Sequence, residues 1–459
     1  MESATSGEPT SFSLRGRPRA ITLEPGGFHH PTGARWGGPV FTAYSDITHL
    51  ARWPRAVWIG TRRSVYVIAR RTFVDPHGPE HLVRALVEQI ARQPGGSAQL
   101  ARMAQIEETS RTRASLRATW GLAVVCAALF VVQVVRGAEV SQVGYFDSAL
   151  AADGDWWRVV TANLLHLNAL HLILNLLSLF AIGPLVERPI GTAAMLCVMA
   201  SSGIGAMAAS AWWSSVSVVG VSGVVCGLIG ALAWLEFRFA DQLPASWRLP
   251  RRALFGVIAG TALLSLLPII ATAAHVGGFV VGWATAAGLA WRALHPRSTG
   301  GLVRALAGAS VAIAAIAVGA AAYELERPGD FAARYAVRLL RLPGISAEVL
   351  NNTAWEIAVD EHSSPQLLEA ALELAERAAD DTDHAKAHIL DTLAEVHFQL
   401  GHRDAAVAAI DEAILREPEE DYYREQRRRF LGERDREDRP FLPPQPAMPK
   451  VREEDGVSV

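Results

Sequence analysis

The stretch HLNALHLILNLLSLF (166–180) sets two histidines and an asparagine at the mouth of a run otherwise as apolar as lipid. An unpaired polar group is expensive in such surroundings, so His166, His171 and Asn175 need a reason to be there. That reason depends on whether the run crosses a membrane and on what lies beside it. Crossing ~30 Å of hydrocarbon takes about 20 predominantly apolar residues in a helix. Runs of about that size occur at 119–136, 169–186, 191–211, 217–236, 253–270, 272–292 and 303–322, which predicts about seven spans. The 459-residue chain is 50% hydrophobic and only 19% charged, and its charge gathers in 1–117 and 324–459. Small residues within the spans suit helix packing in lipid. GFVVG (278–282) and GASVAIAAIAVG (308–319) are expected to let backbones approach closely.

Arginine placement orients the spans. Arg111, Arg113 and Arg117 precede the first, Arg188 separates the second and third, Arg238, Arg248, Arg251 and Arg252 separate the fourth and fifth, and Arg292, Arg297 and Arg304 separate the sixth and seventh. The opposite loops hold only Arg136 and Arg158. The amino terminus is therefore expected in the cytoplasm and the C-terminal region outside. The polar, Pro/Gly-rich start carries no signal-peptide pattern. A net charge of −3 without a basic patch speaks against a nucleic-acid partner. Cys126, Cys197 and Cys226 all lie in the apolar middle, so no disulfide framework is implied.

With this topology the second, fourth and sixth spans run inward together. His171 and Asn175 lie in the first turns of the second, Ser222 about five residues into the fourth, and His275 about three into the sixth. At 1.5 Å per residue these share a layer roughly 5–12 Å below the outer surface. A serine and a histidine within hydrogen-bond reach can act as nucleophile and general base. His171 and Asn175, four apart on one helical face, can donate toward a developing oxyanion. The N–H of Ser222 at a helix start is a further donor, and Gly220 and Gly223 allow close approach. No Asp or Glu shares the layer, so a Ser–His dyad is the most that is supported. His166, His171 and His275 could offer three imidazoles to a metal, but His166 and His171 lie off a common face and no carboxylate joins them. Neither a metal nor a cofactor is expected. A lone serine or glycine in a membrane helix is usually packing, whereas intramembrane histidines usually mark sites.

Together, HLNALHLILN, GVSG and AHVGGFVVG resemble the rhomboid intramembrane serine proteases over about 115–295. The pattern H-x4-H-x3-N, the GxSG opening the fourth span, and AH followed by Gly278 and Gly282 carry the likeness. GDWWRVVTANLLH (154–166) resembles the family's first outer loop with its Trp157–Arg158 pair, and Glu187 resembles the acidic residue closing the second span. The resemblance implies Ser222 as nucleophile, His275 as base, and His171, Asn175 and the Ser222 N–H as oxyanion hole, with Gly220 alongside and His166 ordering water or the loop. It implies cleavage of transmembrane protein substrates near their outer ends, with lateral access by the fifth span. Some members carry a tyrosine where this chain has Cys226, so the imidazole must be oriented otherwise. The seventh span resembles a six-plus-one arrangement.

Outside 118–295, residues 1–39 are expected to be disordered and 40–95 to form a small soluble α+β unit. There AVWIGTRRSVYVIARRTFV (56–74) alternates as a hairpin turning at TRRS, and Leu82, Leu86 and Ile90 share a helix face. This resembles the end of a bacterial pleckstrin-like domain. Residues 96–117 read as a linker. Helix pairs over 330–420 resemble tetratricopeptide repeats, with Ala394, Leu400–Gly401, Ala405–Ala406, Ala413 and Pro418 where small and turn residues are needed; such units bind peptides or proteins. The tail 421–459 reads as disordered. The expected whole is an all-α polytopic membrane protein, a rhomboid-like helical bundle in a bacterial inner (plasma) membrane bilayer, with a small N-terminal α+β domain and a C-terminal helical repeat region. The competing reading is a catalytically weak or inactive relative that binds clients as an adaptor; a transporter would need inverted repeats or broken helices, which are not seen.

Overall fold

A computed structural model describes residues 11–15, 19–31, 39–112, 115–213, 217–265, 271–294, 300–327 and 330–435. Its N-terminal unit is two antiparallel meanders. The first joins β1 (Ser11–Leu14), β2 (Arg19–Glu24), β3 (Gly27–Pro31) and β4 (Pro39–Ala43), and the second β5 (Ile47–Trp53), β6 (Ala56–Thr61) and β7 (Val65–Ala69). Alternation along the strands sends Phe12, Ile21, Phe28, Val57 and Ile59 inward. Helix α1 (Gly78–Ala91) closes that core with Leu82, Leu86 and Ile90, the face expected from the sequence. The β6–β7 turn is fixed where TRRS was read: Thr61 N–H donates to Ser64 O at 2.8 Å, and Ser64 N–H to Thr61 Oγ1 at 3.0 Å.

Two expectations are overturned here. Residues 11–14, 19–24 and 27–31 of the supposedly disordered 1–39 are strands, because Phe12, Ile21 and Phe28 alternate into the shared core. The supposed linker 96–117 is mostly helix α2 (Gly96–Thr112). It buries Met103 and Ile106, and Gln99 Nε2 donates to the carbonyls of Tyr44 and Ile47, both at 2.7 Å. The remainder of 1–39 (1–10, 16–18 and 32–38) lies outside the described residues.

The middle of the chain is helical: α3 (Arg117–Arg136), short α4 (Ala138–Gly144), α5 (Ser148–Ala152) and α6 (Arg158–Thr161), then α7 (Ala169–Trp213), α8 (Ser222–Phe239), α9 (Arg251–Leu264), α10 (Thr272–Leu294) and α11 (Gly301–Leu325). Among the described residues, four helices are long and apolar enough to cross a membrane, namely α3, α7, α8 and α11. The chain is therefore an integral, multi-pass membrane protein. Helix α7 holds two of the expected spans, bent at Gly191 where φ is 79° and ψ 161°. Helix α9 has 14 residues, and positions 266–270 of the expected fifth span lie outside the described residues.

Helix α8 is the buried centre, packed between α7 and α10. Gly278 and Gly282 of α10 meet the backbone carbonyls of Gly223 and Gly227 so closely that a β-carbon on either would strike them. Close approach is thus built at GFVVG, as expected. It is not built at GASVAIAAIAVG: Gly308 and Gly319 face open space, and α11 packs through Val303, Ala307, Ala317 and Ala321. Glu187, fully buried, caps α3 by accepting from the N–H groups of Ala118 and Thr119 (both 2.9 Å) and from Thr119 Oγ1 at 2.7 Å.

Beyond α11 come α12 (Phe331–Arg341) and two helix pairs, α13 (Ala347–Val359) with α14 (Pro365–Asp380) and α15 (Ala387–Gln399) with α16 (Arg403–Arg416). The tail read as disordered begins with a further helix, α17 (Asp421–Leu431). It buries Tyr423 and Phe430, while buried Arg429 pairs with Glu395 and lies 4.9 Å over the Phe398 ring. Positions 436–459 lie outside the described residues.

The two appended units attach at opposite ends of α8. Near its C-terminal end, Arg248 grips Glu236 with Nε (2.9 Å) and Nη2 (2.6 Å) and donates from Nη1 to Thr61 O of the N-terminal unit at 2.6 Å. His49 Nδ1 accepts the Ala245 N–H at 3.0 Å. At the other end, Ser217, five residues ahead of Ser222, hydrogen-bonds Ser346 at 3.3 Å.

Candidate active site

Ser222 is the first residue of α8 rather than five residues into a helix. Residues 217–221 are held outside the helix instead: Val218 pairs with Phe146 through two backbone hydrogen bonds (2.9 and 3.0 Å), and Gly220 N–H donates to Ala162 O at 2.8 Å. Gly220 has φ of +119°, a conformation side chains rarely adopt, and this turn launches the helix at the serine. As first residue of a helix, Ser222 has an N–H with no intrahelical acceptor.

His275 lies three residues into α10. Its Nε2 is 2.9 Å from Ser222 Oγ, and its Nδ1 is 2.7 Å from Ser265 Oγ, just beyond α9. Ser265 donates its own proton to Thr261 O at 2.8 Å. Its oxygen is thereby left to accept from Nδ1–H, and Nε2 is left as a bare acceptor facing Ser222. Thr272 Oγ1 donates to the Ser265 carbonyl, tying the start of α10 to the same residue. Ser222 and His275 are both half-buried, between full enclosure and solvent.

His171 and Asn175, one turn apart at the start of α7, wall the segment leading into Ser222. A β-carbon added at Gly220 would come within 2.6 Å of His171 Cε1 and 3.6 Å of Asn175 Nδ2. Among the described residues, His171 Nδ1 and Asn175 Nδ2 are buried without a hydrogen-bond partner, which buried polar atoms rarely are. His166 stands one step back. Its ring meets that of His171 edge-on with centroids 5.4 Å apart, and its backbone is clamped to Gln133 of α3 by two 3.0 Å hydrogen bonds. Cys226 is buried one turn below Ser222. Among the described residues, no group of three His, Cys, Asp or Glu is arranged to hold a metal.

Ser222, His275, His171, Asn175 and Gly220 thus converge, with His166 adjoining. The sequence reading missed Ser265. In LLSLLP a serine sits within an apolar run, and nothing in its spacing distinguishes it from a packing residue.

Comparison with known proteins bears on this convergence. A family model described as the Rhomboid domain matches residues 153–292. Rhomboid protease GluP of Bacillus subtilis is 28% identical over 287 residues, covering 60% of this chain and 49% of the relative. Rhomboid protease AarA of Providencia stuartii is 31% identical over 156 residues, 29% of this chain and 56% of the relative. Rhomboid protease GlpG of Pectobacterium atrosepticum is 31% identical over 170 residues, 36% and 59%. The chain thus spans about half the length of the curated relatives it matches.

Proposed function

Because this chain belongs to the rhomboid family, we propose that it is an intramembrane serine endopeptidase cleaving transmembrane segments of other membrane proteins. The observation that carries the reading is the 2.9 Å contact between Ser222 Oγ and His275 Nε2, with Nδ1 of the same ring 2.7 Å from Ser265 Oγ. Ser222 Oγ attacks the scissile carbonyl while its proton passes to His275 Nε2. The C–O bond forms as the carbonyl electrons move onto oxygen. That oxyanion is met by the Ser222 N–H, by Asn175 Nδ2 and by His171; among the described residues Asn175 Nδ2 has no hydrogen-bond partner. When the C–N bond breaks, His275 returns the proton to the leaving amine. Water then hydrolyses the acyl-serine by the same proton route in reverse. Ser265 holds the ring in the useful tautomer and stabilises the imidazolium, the task that a carboxylate performs in triads.

Sidedness follows from the arginine bias together with the attachment of the appended units to opposite ends of α8. In this reading the N-terminal unit lies in the cytoplasm, and the helices after α11 lie outside with the site, as seven spans require. Helices α13–α16 act as tetratricopeptide-like pairs that receive a peptide or protein partner.

The test is cleavage of a model transmembrane substrate by purified protein in a lipid nanodisc, with fluorophosphonate labelling alongside. Ser222→Ala should abolish turnover, and label should map to Ser222 and be lost in His275→Ala. Undiminished turnover in Ser222→Ala removes the nucleophile assignment. A wild-type protein that binds the substrate without cutting it supports an adaptor instead.

A further inference from the structure

We propose that the C-terminal helical unit braces the nucleophile, with Tyr335 and Arg338 of α12 as positioning residues that hold the loop 138–165 against the segment 217–221 leading into Ser222. The proposal rests on the serine-hydrolase reading and gives a task to a region beyond the matched domain.

Three observations carry it. The loop and the C-terminal unit share one core: Val143 and Leu150 pack in the same cluster as Phe331, Tyr335, Leu339 and Val349. A polar chain runs across that core. Arg338 Nε donates to Asp153 at 2.8 Å and its Nη1 to Asp155 Oδ2 at 2.9 Å. The same Asp155 oxygen accepts from Arg158 Nε at 2.8 Å, and Arg158, 1% exposed, donates onward to the carbonyls of Gln142 (2.7 Å) and Tyr145 (3.0 Å). The hydroxyls of Tyr145 and Tyr335 share a 2.7 Å hydrogen bond. Burial pushes both phenols up, so both stay protonated and neutral. Finally, this loop supports the turn before the serine, because Phe146 pairs with Val218 and Ala162 accepts from Gly220. The α13 side adds Ser346 on Ser217. From Arg338 to Ser222 the path is continuous. A buried arginine whose carboxylate partner is shared with another unit will shift if that unit leaves.

The full-length protein in nanodiscs tests this with Arg338→Ala, Arg338→Lys and Tyr335→Phe. Turnover, the rate of fluorophosphonate attachment to Ser222, and hydrogen exchange over 142–165 and 217–222 are measured on each. Displacing reacting groups by roughly 1 Å costs up to about a hundredfold, so Arg338→Ala should slow kcat and labelling by on the order of 10–100-fold while KM stays within about twofold. Exchange should rise in both segments, and Arg338→Lys should recover part of the rate because an ammonium still reaches one carboxylate. Wild-type labelling and wild-type exchange in both Arg338→Ala and Tyr335→Phe overturn the brace, even if the C-terminal unit melts earlier. Should wild type itself take no label, the hydrolase reading falls, and exchange alone decides: unchanged protection at 217–222 ends the proposal and raised exchange sustains the mechanical link.

Discussion

Removing the Ser265 hydroxyl isolates one contact of the proposed Ser–His site. In the resting site Ser265 accepts from the neutral imidazole of His275 at 2.7 Å, its own proton being spent on Thr261 O. A neutral hydrogen bond of this kind contributes about 1 kcal/mol net, but one to a charged group about 1.5–3 kcal/mol. In the proposed mechanism the ring becomes cationic only after taking the Ser222 proton. The part of the bond that lowers the barrier is therefore the difference, about 0.5–2 kcal/mol, or about 2–30-fold in kcat. Ser265 lies on the far side of the ring from the nucleophile, so KM should stay put. Ser265→Ala is assayed by steady-state and single-turnover cleavage of one model substrate, with Ser265→Thr as the control that keeps an acceptor. A Ser265→Ala enzyme with kcat within about twofold of wild type, or one altered in KM alone, refutes the assigned role.

Other perturbations probe the scaffold. Gly220→Ala places a β-carbon 2.6 Å from the His171 ring at φ of +119°; strain of about 1–3 kcal/mol and loss of Ser222 labelling with helix content retained are expected, and normal labelling contradicts the turn's role. Arg248→Ala leaves Glu236, 1% exposed, with only the more distant Arg251 guanidinium at 3.8 Å; a cost of up to about 3–5 kcal/mol should appear as a lower thermal midpoint and faster exchange in β6. Burial, aided by Arg248 and opposed by Glu107, holds the His49 imidazole below its ordinary value of 6.5. The undocked form then takes up the proton first, so docking is fullest above about pH 6.5 and weakens as pH falls toward the lowered value. Exchange at the Ala245 amide, corrected for its intrinsic pH dependence, should rise between pH 7 and pH 5; a flat corrected profile refutes this. Glu187→Ala removes a charged acceptor from two N–H groups and a hydroxyl at the start of α3 and should cost about 3 kcal/mol or more, read by thermal denaturation.

What could be read from the chain beforehand follows from contrast. His171, Asn175 and His275 stood out because lipid-like neighbours make a polar side chain costly, and Ser222 stood out beside them through its glycines. Ser265 gave no such contrast, since a serine can satisfy itself on the carbonyl four residues back, as it does on Thr261. The first three strands escaped notice because each offers only one or two core residues, Phe12, Ile21 and Phe28, between turns and polar positions. In DYYREQRRRFL the core face of α17 was hidden by charge, with Arg429 buried through its pairing with Glu395 and its stacking on Phe398. Helix α2 failed to show for a related reason: its anchoring to the N-terminal unit relies on polar Gln99 and Glu107 beside a few apolar side chains, Leu100, Met103 and Ile106, too sparse a stripe to announce a helix.

The meshing of α8 with α10 divides the molecule into stiff and yielding parts. Glycine carbonyls lie against glycine backbone there, leaving little room for the two helices to slide past each other. Helix α9 is of another kind, with Leu254 its one buried residue among those described from 251 to 264. An outward swing of α9 would carry Ser265 off the imidazole while the reacting pair stayed put. In the proposed protease such a swing would idle the site instead of dismantling it, and realignment would need only one hydroxyl to return.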